Sequence, residues 1–170
     1  MKNRFFVFAV LFFVVFLMCL VGDVGEKQQK GEVDNKIQLF VDYLIEGKHH
    51  GEDCKKGFYY LLEAIELSLP QADYPEEFNN QITKANSLFK KNGIFDPNGV
   101  QLIKQAYCSI NNGKDFKMPE EILTIDQAKE YGNNIIEMSR KHLKEGKVDT
   151  AVKLLLETAV MVVTPFIKKG

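Results

Sequence analysis

Apolar residues recur along this chain at three- and four-residue intervals, in segments separated by glycine, proline and short polar runs. Val33, Ile37, Phe40, Val41, Leu44 and Ile45 make the first stripe. Gly47 to Gly51 breaks it, and Phe58, Leu61, Leu62, Ile65 and Leu69 repeat it up to Pro70. Phe78, Ile82, Ala85, Leu88 and Phe89 form a third stripe, opened by Pro75-Glu76-Glu77 and closed by Gly93. Asp96-Pro97 is a cap followed by proline at a first helical position, and Val100, Leu102, Ile103, Ala106, Tyr107 and Ile110 follow it. Spacing of this kind buries one face of an α-helix, and no alternating strand pattern competes with it.

The last two segments are the best delimited. Thr124 and Gln127 stand at capping-box spacing, with Asp126 at the positive end of the helix dipole. Ile125, Ala128, Tyr131, Ile135, Ile136, Met138 and Leu143 supply the stripe, and Gly146 is the expected stop. A sixth helix is predicted from near Asp149, a good N-cap residue. It reads Ala151, Val152, Leu154, Leu155, Leu156, Ala159, Val160, Met161, Val162, Val163 and Phe166, and Pro165 kinks or ends it. A helix apolar around most of its circumference must be covered on several sides. The expectation is an all-α protein of about six helices in three antiparallel hairpins, arranged as a repeat-like stack or a compact bundle.

The closing hairpin resembles a tetratricopeptide repeat, a helix–turn–helix unit of about 34 residues. Ser139 and Gly146 take the small and glycine positions, and Ala151 and Leu155 the small and bulky positions of the second helix. His142, Thr158 and the late Pro165 depart from the pattern. The run Leu61-Leu62-Glu63-Ala64-Ile65-Glu66-Leu67, closed by Pro70, resembles the second helix of such a repeat. The similarity covers about 52–70 and 128–165, and it implies a scaffold that binds protein partners.

Residues 1–22 stand apart. Lys2 and Arg4 precede an uncharged run from Phe5 to Val21, the order found in a signal peptide or a membrane anchor. Phe16-Leu17-Met18-Cys19 partly resembles the lipobox of bacterial lipoproteins, which makes Cys19 a candidate for lipidation. Residues 23–33 read as a polar tether and 34–170 as one helical domain on the periplasmic or cell-surface side, tethered through residues 1–22 or secreted.

Composition narrows the function. The chain has 170 residues, is 26% charged and carries a net charge of −1. No basic stripe with interleaved aromatics is present, so nucleic acid is not expected as a partner. No nucleophile system, phosphate loop or cofactor motif appears, so neither an enzyme nor a cofactor is expected. His49, His50, Asp53 and Cys54, with Glu52, are the densest set of candidate metal ligands, although adjacent histidines do not naturally face one ion. In a stack, Cys54 and Cys108 lie about nine residues apart along parallel helices, roughly 13 Å. A disulfide needs Cα atoms within about 7 Å, so a bridge there would mark a bundle instead.

The function expected is an exported, membrane-tethered helical scaffold that binds a protein partner or itself. Its interaction surface is expected at Leu156, Val160, Val163 and Phe166 of the last helix, with Tyr59 and Tyr60. The alternative is a small periplasmic bundle that holds a ligand or metal between its helices.

Overall fold

A computed structural model describes residues 27–47, 53–94, 96–122 and 124–164. The chain divides into two compact units, Met1–Glu32 and Val33–Gly170. Residues 27–32, the described part of the first, are helical where a polar tether was expected. The expected signal or anchor, with Cys19, lies outside the described residues.

The second unit is all-helical, with six helices and no strand among the described residues. Helix α1 covers 33–40 and runs on as a π-helical turn, Val41–Ile45. The others are α2 (Asp53–Ser68), α3 (Glu76–Asn92), α4 (Pro97–Ile110), α5 (Ile125–Lys144) and α6 (Val148–Val163). None of the described helices is long and apolar enough to cross a membrane.

Local chemistry sets most of the boundaries. The Thr124–Gln127 capping box forms in both directions at the start of α5. Asp96 accepts from the Gly99 amide at 2.8 Å, and this bond, with that from Asn92, holds its carboxyl below the usual range. Helix α5 ends in a Schellman turn. Gly146 is left-handed there (φ 74°), and the Lys147 amide reaches the His142 carbonyl at 2.9 Å. Asp149 does not cap α6 as expected. The helix starts at Val148, and the Asp149 carboxylate instead accepts from the Asp73 amide at 2.8 Å. Tyr74 also donates to the Asp149 carbonyl at 2.6 Å. A loop distant in sequence has taken the side chain the helix start would have used.

The core is one apolar cluster that draws on every helix. Helix α6 lies at its centre, packed on α2, α4 and α5, and α2 also packs on α1 and α3. Helix α5 reaches back to the π-helical turn of α1. Gly57 lets α1 and α2 approach closely: a Cβ there would stand 3.0 Å from the Cβ atoms of Tyr43 and Leu44. Polar groups tie the rims of these contacts. Arg140 of α5 meets Asp34 at 3.1 Å and donates to Gln38 at 2.8 Å, both on α1. Glu63 of α2 bridges Lys36 and Lys90, from α1 and α3. Burial works to raise the Glu63 pKa, but the hydrogen bonds and charges of the two lysines outweigh it and hold the carboxyl below its ordinary value.

Candidate functional site

A cavity opens beside α4. Gln101, Lys104, Gln105 and Cys108 recur at i, i+3, i+4 and i+7, which puts them on one stripe of that helix. Alone, this stripe would be a solvated face. The end of the helix turns it into a wall. Asn112 is left-handed (φ 54°), as is Gly113 (φ 72°), and the Gly113 amide bonds to the Cys108 carbonyl at 2.9 Å. Asn111 adds a side-chain bond to the Lys114 carbonyl at 3.1 Å. This second Schellman turn sends the chain back beside α4 and delivers Asp115 and Phe116 opposite the stripe.

The Phe116 ring meets Tyr107 edge to face, with centroids 6.1 Å apart. Val160 and Thr164, at the end of α6, complete the lining. The groove holds about 330 Å³, at the small end of the range in which proteins take up small molecules.

The tyrosines around the groove stay neutral. Burial first, and then the charge of Glu157, push the Tyr107 hydroxyl above its ordinary pKa. Tyr131 donates to Glu157 at 3.1 Å, and burial with the Glu157 charge pushes its hydroxyl up to about 12. Both hydroxyls stay protonated at neutral pH and do not act as bases.

A second hollow is smaller and almost wholly apolar. It holds about 120 Å³ between Leu44 and Ile45 of the π-helical turn, Ala128 and Gly132 of α5, and Met161 and Val162 of α6. Ile125, at its edge, is 59% exposed.

The sequence-derived candidates fall differently from expectation. Leu156, Val160 and Val163 do not face outward: they are 0%, 2% and 5% exposed. The chain's own α2, α4 and α5 cover the helix that was expected to need a partner. Tyr59 is half-buried and donates to the Phe89 carbonyl at 3.0 Å. Tyr60 stands edge-on to Tyr43, with the Lys36 ammonium 5.3 Å from its ring centre. Neither lines a cavity named above. His49, His50, Glu52 and Phe166 lie outside the described residues, and Asp53 and Cys54 begin α2. Among the described residues, no group of three histidine, cysteine or acidic side chains is placed to hold a metal. Cys108 carries a free thiol, half-buried in the groove.

Sequence reasoning missed Lys104 and Asp115. The usable signal was Asn111-Asn112-Gly113 with an aromatic residue three positions on, a turn that folds a ring back onto the helix it ends. The chain matches no family model. No match emerges among curated proteins, and none among solved structures.

Proposed function

We propose that this chain is an exported helical bundle whose second unit binds a small ligand in the groove between α4 and α6. The groove itself carries the reading: a small concave site with an aromatic edge and polar side chains converging on it. The order of packing supports a closed bundle. In a linear stack each hairpin touches only its neighbours, whereas α6 of the third hairpin lies on α2 of the first. The tetratricopeptide resemblance is then local, a property of tight helical hairpins.

A fragment screen by NMR on the full chain tests the site. Ligands are expected to shift the resonances of Lys104, Cys108 and Phe116 together and to slow alkylation of the Cys108 thiol, read by peptide mass spectrometry. Gln105→Trp, which fills the groove from an exposed position, is expected to weaken these ligands at least tenfold while leaving the fold intact. Hits that avoid the groove, or bind the variant equally, would remove the proposal.

Export is proposed from Lys2, Arg4 and the uncharged Phe5–Val21 run. Fractionation with mild crosslinking should find the full chain outside the cytoplasm, without a stoichiometric protein partner. Recovery from the cytosol would overturn export. A partner crosslinked beside Ile125 would instead favour protein docking at the apolar hollow.

A further inference from the structure

The two walls of the groove carry opposite charges. Lys104 stands on α4 and Asp115 on the returning chain, and the Tyr107–Phe116 ring pair and Val160 share the lining with them. Among the described residues, neither Lys104 nor Asp115 makes a side-chain hydrogen bond or ion pair. Several charged residues at the helix contacts of this unit are paired, Lys36 and Lys90 with Glu63 and Arg140 with Asp34 and Glu137. The groove thus keeps one cation and one anion free, where an occupant would meet both. Gln101 and Gln105 flank Lys104 on its stripe and offer further donors and acceptors.

From this juxtaposition we infer that the ligand is a small zwitterion of amino-acid type with an apolar, preferably aromatic, body. Its carboxylate lies toward Lys104 and its ammonium toward Asp115. Its body lies against Phe116, Tyr107 and Val160. A purely anionic ligand would leave Asp115 repelling it, and a purely cationic one would leave Lys104 doing so. Both charges are therefore needed for the groove to favour its occupant over water and salt. The inference rests on the ligand-binding reading and narrows it to one chemical class. The charged groups are solvent-accessible, so added salt should weaken the interaction.

The test uses the full chain and three probes: L-phenylalanine, 3-phenylpropanoate and 2-phenylethylamine. Affinity is read by NMR titration and by protection of Cys108 from alkylation. Phenylalanine is expected to bind at least tenfold tighter than either single-charge analogue. In Lys104→Met its advantage over the amine should collapse, and in Asp115→Asn its advantage over the acid should collapse. Equal binding of all three probes in the groove would overturn the zwitterion inference and leave the ligand-binding reading standing. Failure of all three to saturate would also overturn it, and the fragment screen with Gln105→Trp would then decide the broader reading separately.

Discussion

Leu156→Asp is expected to unfold the helical unit, not to dissociate an assembly. Leu156 is fully buried in the core cluster, on the helix that packs against α2, α4 and α5. The substitution removes an apolar side chain and puts a carboxylate where water cannot reach it. An uncompensated buried charge costs on the order of 3–5 kcal/mol. Small domains have only about 5–15 kcal/mol in total. The cooperative thermal transition followed by circular dichroism should fall by tens of degrees or vanish. The control is Met138→Asp, at a position 46% exposed on α5, where a surface change should stay within about 0.5 kcal/mol. If Leu156→Asp melted close to the parent chain, α6 would not be the centre of the core. Its apolar girth would then again need an external partner.

That contrast locates where the sequence stopped being informative. Local signals were legible: the Thr124–Gln127 box, the Asp96 cap, and the glycine stops at Gly93 and Gly146 follow from side chains within a few residues of each helix end. The girth of α6 was legible too, because apolar residues around most of a helix require cover on several sides. What covers it was not. Periodicity reports how much of a helix is buried and says nothing of which segment lies on it, so internal helices and an outside partner leave the same pattern.

Asp149 failed for a similar reason. Its helix-start position was read from neighbours, whereas its hydrogen-bond partner comes from Asp73, far away in the chain. The groove shows a third kind of limit. Gln101, Lys104 and Gln105 have the composition of a solvated face, and they become a wall only because the turn after Ile110 brings Asp115 and Phe116 across from them. The π-helical turn at Val41–Ile45 left no readable mark either. Its extra residue, closed by the Glu46 amide on the Val41 carbonyl at 2.8 Å, falls in the last turn of α1, so no later part of that helix follows to show a shifted stripe.

The second large effect is expected at the α3–α4 contact, where Phe89 and Gly99 form a fitted pair. Phe89 is fully buried and meets Phe58 edge to face at 5.2 Å. Phe89→Ala should cost roughly 3–5 kcal/mol, through lost transfer energy and the cavity left behind. Gly99 lies in the first turn of α4 against that ring. A Cβ at Gly99 would stand 2.6 Å from one ring carbon of Phe89 and 2.9 Å from the next. The ring is held by Phe58 and has little room to yield, so Gly99→Ala should cost about 1–3 kcal/mol despite alanine's better helix propensity. In the Phe89→Ala background the clash is gone. Gly99→Ala should then be neutral or stabilising there, and the double variant should be more stable than the two single losses sum to, by at least about 1 kcal/mol. Denaturant midpoints of the four chains give the cycle directly. Additivity within about 0.5 kcal/mol would show that the glycine is tolerated there for some reason other than the ring, and that α3 and α4 are held together elsewhere along their length.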